Sequence, residues 1–137
     1  MSSQSRFPAL VFRIAAVYGI ATLLPQYFLE RRIGEAFPPA ITHPELFYGF
    51  IGVALVWQFV FVLIAHDVRR YRPLMLLAVL EKLSFGVAAV ALFAQGRVAG
   101  SVAVAGAIDL VLAALFALAF RLTPRVAGDA QRGAEAS

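Results

Sequence analysis

Four long apolar runs, separated by short polar stretches, restrict what this sequence can fold into. The runs span residues 7–29, 46–65, 74–94 and 98–120. Each is about as long as the ~20 residues that a helix needs to cross roughly 30 Å of hydrocarbon, and none alternates in polarity as a barrel strand does. With 61% hydrophobic residues, the chain also lacks the polar shell of a soluble domain. The sequence therefore predicts an all-α polytopic membrane protein, an up-down bundle of four transmembrane helices over residues 1–123.

Prolines mark where these helices begin and end. Pro25 removes a backbone donor near the end of the first run, which predicts a kink or the end of regular helix there. Thr42 and Glu45 form a candidate capping box for the second helix, with Pro44 in its first turn. Pro73 is expected to open the third helix.

The distribution of arginines predicts the orientation, because Lys and Arg concentrate in cytoplasmic connections. Seven arginines flank one side of the spans, namely Arg6, Arg69, Arg70, Arg72, Arg121, Arg125 and Arg132. Three flank the other side, namely Arg31, Arg32 and Arg97. We therefore expect a multi-pass membrane protein with both termini in the cytoplasm. Its linker at residues 30–45 would face outward along the headgroups, and residues 124–137 would form a disordered cytoplasmic tail.

Five strongly polar residues lie inside the apolar runs, namely Arg13, Gln58, Glu81, Lys82 and Asp109. Counted from the cytoplasmic ends at about 1.5 Å per residue, the first four lie roughly 9 to 12 Å deep and Asp109 about 16 Å deep. Because charges in hydrocarbon are costly, these side chains are expected to turn inward and form one layer.

Two ion pairs between helices would neutralise this layer. Adjacent residues on a helix point about 100° apart, so Glu81 and Lys82 are expected to contact different neighbours. We predict pairs of Glu81 with Arg13 and of Lys82 with Asp109, bridged by Gln58, unless Lys82 extends toward the cytoplasm. Such a layer either fixes helix register or serves as a proton relay or the polar floor of a ligand site.

No metal or cofactor site is predicted. The chain has no cysteine, and its two histidines, His43 and His66, lie at opposite ends of the second helix. His43 with Glu30 and Glu45 is an outer-loop candidate for loose cation binding or pH sensing, although capping and solvent exposure explain the same residues. The loops are too short for a nucleic-acid surface, and the arginines suit anionic lipid headgroups instead.

Small residues recur at four-residue spacing in two series in and beside the fourth run, with glycines nearby: Ala99, Ala103 and Ala107, then Ala113 and Ala117, with Gly96, Gly100 and Gly106. This spacing lets helices pack closely, either within the bundle or in a homo-oligomer. The expected partners are the lipid bilayer, a second copy or another membrane protein. Aromatic residues between helices would also suit an apolar ligand such as an isoprenoid or quinone ring.

Three segments carry a resemblance to other proteins: ITHPELFYGF at residues 41–50, RYRPLM at 70–75 and LEKLSF at 80–85. They resemble a group of uncharacterised small bacterial membrane proteins. The resemblance runs from the first helix to the fourth, excludes the tail, and implies the fold but no activity. In size and helix count the chain is also similar to DoxX-like four-helix membrane proteins, some of which associate with oxidative or quinone-linked systems, and no DoxX site residue is carried over.

These features favour a binding or accessory role in the inner membrane over independent catalysis. One alternative is a membrane enzyme in which Glu81, Lys82 and Asp109 supply acid and base groups to a lipid-soluble substrate. Another is a proton-coupled transporter assembled as a homodimer. All of these hypotheses depend on how the polar residues within the runs are arranged.

Overall fold

A computed structural model describes residues 3–125 of the chain. It contains the helices α1 (Ser3–Leu23), α2 (Glu30–Ala36), α3 (Pro44–His66), α4 (Arg72–Ala94) and α5 (Gly100–Leu122), with a 3-10 helix (Leu24–Phe28) after α1. No strand occurs in this part of the chain. Four segments, Arg6–Phe28, α3, α4 and α5, are long and apolar enough to cross a membrane. The predicted all-α class with four spanning helices is confirmed, and the protein is a small multi-pass membrane protein.

Two of the three predicted helix boundaries are confirmed. Regular α-helix stops at Leu23, and Pro25 lies in the 3-10 helix that follows. α4 begins at Arg72, with Pro73 in its first turn. In both places proline lies in the first turn of a helix. Its missing N–H is tolerated there because the N–H groups of a first turn have no intrahelical acceptor.

The predicted capping box at Thr42 is wrong. α3 begins at Pro44, its N-cap is His43, and no side chain caps it. Proline favours the first helical position because its φ angle is already helical. A capping box needs Glu or Gln at the third helical position. With the helix starting at Pro44, that position is Leu46, and Glu45 is the second helical residue.

The long helices form an up-down ring in the order α1, α3, α4, α5. α4 and α5 pack most closely, α1 packs along α3 and also contacts α5, and α3 meets α4 at few points. The seam between α3 and α4 is therefore the most open side of the bundle.

Small residues permit the close packing of α4 against α5. A Cβ atom on Gly106 would lie 2.6 Å from Ala89 Cβ, and one on Gly86 would lie 3.0 Å from the Gly106 carbonyl oxygen. Gly106 and Ala113 are buried, whereas Ala107 of the predicted alanine stripe is exposed. The contact face centres on Gly106, because a residue without Cβ allows the closest backbone approach.

The bundle has two ends of different character. The terminal end holds the start of α1, the connection from α3 to α4 and the end of α5, and the loop end holds α2 and the connection from α4 to α5.

At the terminal end, the buried rings of Phe12 and Phe116 stack with centroids 4.2 Å apart. Phe61 meets Phe116 edge-on at 5.0 Å. We call these three rings the aromatic cluster, and Met75 belongs to the same buried core.

Arg72 joins the first turn of α4 to the end of α5 at the terminal end. Its Nε donates to the backbone oxygen of Thr123 at 2.7 Å, and its Cζ lies 3.7 Å from the centroid of the Phe120 ring. The Thr123 hydroxyl in turn donates to the Ala119 carbonyl at 2.8 Å. These contacts tie the last residues of α5 to α4.

The connections at the loop end are more structured than the sequence indicated. The linker at residues 30–45 contains the seven-residue helix α2, which was not predicted. α4 ends where Gly96 adopts a positive φ of 69°, and Arg97 N–H then donates to the Leu92 carbonyl at 2.9 Å. This Schellman cap turns the chain sharply into α5. Of the predicted tail at 124–137, residues 126–137 lie outside the described residues.

Candidate functional site

A polar cavity of about 210 Å³ lies between the helices on the loop-end side of the aromatic cluster. We call it the inner cavity. Four of the five predicted polar residues line it: Gln58, Glu81, Lys82 and Asp109. The remaining lining residues come from α1, the 3-10 helix, α3 and α4, namely Tyr18, Gly19, Thr22, Leu23, Gln26, Phe50, Ala54 and Phe85.

Lys82, the only lysine of the chain, links two carboxyl groups at the floor of the inner cavity. Its Nζ lies 3.3 Å from Asp109 Oδ1 and 3.4 Å from Glu81 Oε2, and all three side chains are largely buried. The ammonium also lies 5.4 Å from the centroid of the Phe61 ring. One cation therefore serves two carboxyl groups and contacts the aromatic cluster below them.

Gln58 is held in one orientation by its own helix. Its side chain is 1% exposed, and its Nε2 donates to the Ala54 carbonyl at 2.8 Å. A flipped amide would place two acceptors against each other, so the Nε2 and Oε1 positions are determined by this bond. The amide packs directly on Gly19, where a Cβ atom would collide with it.

Two acceptor atoms at this site lack a hydrogen bond. Among the described residues, neither Gln58 Oε1 nor Glu81 Oε2 has a donor in hydrogen-bond geometry, although both atoms are buried. Lys82 Nζ is near Glu81 Oε2 but its hydrogen-bond contact is with Oε1, at a long 3.5 Å. Buried acceptors are normally satisfied, so each such atom requires an explanation.

A second cavity, of about 450 Å³, lies in the open seam between α3 and α4. We call it the α3–α4 cleft. Its lining is mainly apolar and consists of Phe50, Val53, Ala54, Trp57, Leu77, Leu80, Glu81, Ser84 and Phe85. The only carboxyl group in this lining belongs to Glu81. The cleft therefore combines a hydrocarbon-like wall with one acidic group.

Arg13 is not part of the charged site, and the predicted pair with Glu81 is wrong. Its side chain is exposed, and it makes no ion pair or hydrogen bond with residues 3–125. α1 packs inward through Phe12, Ala15 and Ala16, so the neighbouring position 13 points away from the bundle. A long side chain near the start of a spanning helix can extend its guanidinium toward the headgroups.

Two further expectations for the layer are also wrong. Glu81 and Lys82 contact each other, because the flexible lysine side chain reaches back across the 100° that separates adjacent positions. Gln58 does not bridge the charged groups, since its amide donates within α3. The contact of Lys82 with Asp109 is present at 3.3 Å.

The contribution of α1 and the 3-10 helix to the inner cavity was not foreseen. Gly19, Thr22 and Gln26 lie at intervals of three and four residues and form one small and polar face. Thr22 Oγ1 donates to the Tyr18 carbonyl at 2.9 Å, and Gln26 Nε2 donates to the Thr22 carbonyl at 2.9 Å. This spacing is visible in the sequence and is the signal that would have identified the face.

The outer-loop candidates do not form a single site. His43 Nδ1 lies 3.1 Å from Glu45 Oε1, and both side chains are exposed. Glu30 instead accepts a 2.6 Å hydrogen bond from the Tyr48 hydroxyl. Over residues 3–125, no three His, Asp or Glu side chains are grouped closely enough to hold a metal ion.

The chain was also compared with known proteins. No family model matches it, and neither a curated protein nor a solved structure shows significant similarity to it.

Proposed function

We propose that this protein binds a small amphipathic molecule within the membrane and holds its polar head in the inner cavity. The observation that carries the proposal is the pair of buried acceptors, Gln58 Oε1 and Glu81 Oε2, that receive no hydrogen bond within residues 3–125. Leaving a buried acceptor unsatisfied costs about 1–3 kcal/mol. A ligand head that donates to both atoms removes this cost, and binding is favoured accordingly.

The charges of the site favour a head that donates hydrogen bonds or carries a positive charge. Glu81 and Asp109 share the single ammonium of Lys82, so the site has one acidic group more than it has basic groups and is negatively charged when both carboxyl groups are ionised. A protonated amine complements this charge, and a hydroxyl group supplies a donor without opposing it. A phosphate would be repelled by the carboxylates, and quinone carbonyls have no donor to offer.

The binding proposal is tested with a tritiated alkylamine. Binding of decylamine to the detergent-purified protein is measured by equilibrium dialysis against protein-free micelles of the same detergent, with decanoate and methyl nonyl ether as probes of matched length. The amine is expected to bind at one per chain, and both controls at least tenfold more weakly. Equal partition of the three probes would contradict a donor-selective site.

Two variants test whether the polar head of the ligand binds at Gln58 and Glu81. Gln58→Leu and Glu81→Gln each remove one acceptor function and are expected to weaken amine binding by roughly tenfold or more. Matched controls at exposed positions, Gln95→Leu and Glu35→Gln, are expected to bind as the unaltered protein does. If the first two variants lose stability but keep full amine affinity, the polar layer serves only to hold the helices together.

We also propose that the membrane is the bacterial inner membrane, as the resemblance of residues 41–50, 70–75 and 80–85 implies, and that both termini are cytoplasmic, as the excess of arginine at the terminal end favours. The absence of native cysteine makes this easy to test with a membrane-impermeant maleimide. Ala36→Cys, in the exposed α2, is expected to react in spheroplasts, and Ser137→Cys only after lysis. The opposite pattern would reverse the orientation.

A second candidate function is proton-coupled transport of the same ligand. One observation favours it: Glu81 lines both the inner cavity and the α3–α4 cleft. A single carboxyl group is therefore in reach of both cavities. Transport requires amine flux into proteoliposomes that depends on a pH gradient and is lost in Glu81→Gln. Stable binding without flux would leave only the binding function.

A further inference from the structure

We infer that the ligand of the inner cavity has a single hydrocarbon chain, that this chain lies in the α3–α4 cleft, and that the ligand reaches its site sideways from the bilayer. The inference rests on the proposed function and adds to it the class of ligand, a single-chain amphiphile with an amine or hydroxyl head.

The first argument is that the cleft and the inner cavity have a common wall. Four residues line both spaces, namely Phe50, Ala54, Glu81 and Phe85. A head that donates to the Glu81 carboxylate is therefore already at the edge of the cleft. Its hydrocarbon chain meets an apolar surface there without having to cross the charged layer.

The second argument is the shape of that wall. The rings of Phe50 and Phe85 have centroids 5.8 Å apart, and Ala54 is the one small side chain among the four. The wall has its smallest side chain at Ala54, next to the two aromatic rings. A passage at this position would favour one slender chain over a bulky ring system or a lipid with two chains.

The third argument is that contacts between helices obstruct both ends of the bundle. The aromatic cluster and Lys82 fill the terminal end. Toward the loop end, the Tyr48 hydroxyl donates to Glu30, and the Tyr27 and Tyr48 rings stack with centroids 5.9 Å apart. These contacts hold the 3-10 helix and α2 on the start of α3.

The seam between α3 and α4, in contrast, is open to the lipid side. Val53 is 64% exposed and Leu80 is 60% exposed, and both line the cleft. An alkyl chain in this position stays in contact with hydrocarbon throughout binding, so that only the head has to leave the interfacial region.

The single tryptophan of the chain makes the position of the ligand's tail measurable. Trp57 lines the cleft and no other tryptophan contributes fluorescence. A decylamine that carries bromine in the middle of its chain is expected to quench Trp57 fluorescence saturably, with reversal by unlabelled decylamine. Bromodecane, which carries bromine in the same position but has no amine, is the control. It measures the quenching caused by bromine that is merely dissolved in the detergent micelle. Quenching that is equal for both compounds, or that cannot be reversed, would overturn the inference.

A matched pair of variants tests the same point independently. Val53→Phe fills the cleft beside Trp57, one helical turn away, whereas Val111→Phe adds the same ring to an equally exposed position on α5 that lines neither cavity. We expect Val53→Phe to weaken decylamine binding about five- to tenfold. Propylamine has the same amine head on a much shorter chain, and its ability to compete for the head site should be unchanged. Val111→Phe should change neither value.

The outcomes separate the two proposals. If decylamine shows no selective binding to the unaltered protein, the proposed function itself fails. If it binds with the expected dependence on Gln58 and Glu81, but Trp57 is not quenched and Val53→Phe has no effect, the head site stands and the placement of the tail in the cleft is wrong. The fluorescence experiment uses the unaltered chain, so it gives an answer even if Val53→Phe does not fold.

Discussion

The two ends of this bundle use the same helices in different ways. At the terminal end, Phe12, Phe61 and Phe116 fill the interior, and Arg72 ties α4 to the last residues of α5. Toward the loop end, α4 and α5 remain in close contact at Gly86 and Gly106, but the bundle also leaves room there for two cavities with unsatisfied acceptors. The comparison shows that one short bundle can hold its fold in one half and keep space for a ligand in the other.

The difference follows from side-chain volume and polarity along each helix. In α1 the inward positions change from Phe12 to Gly19 and Thr22, and in α3 the cavity position Gln58 precedes Phe61 by one turn. Large apolar groups fill the space between helices, whereas small and polar groups leave it open and line it. Lys82 marks the boundary, since it contacts the Phe61 ring on one side and the carboxylates on the other.

The largest effect is expected from emptying the aromatic cluster. Phe116→Ala removes a fully buried ring that contacts two others, and we expect it to lower the free energy of unfolding by about 3–5 kcal/mol. Phe85→Ala removes a ring from a cavity wall, where fewer contacts are lost, and should cost less than half as much. Unfolding by SDS in mixed micelles measures both. Equal losses would mean that the two halves contribute equally to stability.

The next effect tests the close packing of α4 and α5. Gly106→Ala places a methyl group 2.6 Å from Ala89 Cβ, so the helices must separate, and we expect a loss of about 1–3 kcal/mol. Gly49→Ala in α3 meets nothing within 4 Å and should be neutral or slightly stabilising, because alanine is the better helix former. The same unfolding titration serves for both. A neutral Gly106→Ala would show that this contact is not tight.

A smaller effect is expected from the contact at the end of α5. Arg72→Lys keeps the charge but loses the planar contact with Phe120 and the Nε bond to Thr123. We expect it to cost roughly 1 kcal/mol. Arg121→Lys, at an exposed position of the same end, is the matched control and should have no effect. If both variants unfold alike, Arg72 does not stabilise the terminal end.

The smallest loss of stability is expected at the inner cavity. Gly19→Ala introduces a clash with the Gln58 amide, but the amide is the far end of a side chain that borders the inner cavity, so it can move aside if its bond to the Ala54 carbonyl is given up. We expect a cost below about 1 kcal/mol, together with at least a fivefold loss of decylamine binding. A stability loss as large as that of Gly106→Ala would indicate that the cavity is as tightly packed as the interface between α4 and α5.

Much of the fold was predictable because hydrocarbon imposes a simple length rule. The apolar run at residues 46–65 corresponds to α3 at Pro44–His66, and the run at 98–120 to α5 at Gly100–Leu122. The short helix α2 was missed because seven residues in a linker give no reliable periodicity. The boundary at Thr42 was missed because the preference of Pro44 for the first helical position decided the register.

Four residues of the site and one of its contacts, that of Lys82 with Asp109, were predictable, but the other contacts were not. The polarity of Gln58, Glu81, Lys82 and Asp109 within apolar runs identified them, and all four line one cavity. Depth alone cannot give the direction in which a side chain points. Arg13 has a similar expected depth, but it lies on the outer face because α1 uses its neighbour Phe12 for packing.

The fixed amide of Gln58 affects the entropy of any binding event at this site. Ordering a free glutamine side chain costs about 1.5–2 kcal/mol in rotamer freedom. Here the bond to the Ala54 carbonyl and the contact with Gly19 have already fixed the amide. This loss of side-chain entropy therefore occurs when the protein folds and not when it binds a ligand. A donor that reaches Oε1 meets an acceptor whose torsions are already set, and the hydrogen bond it forms is not weakened by the loss of side-chain motion.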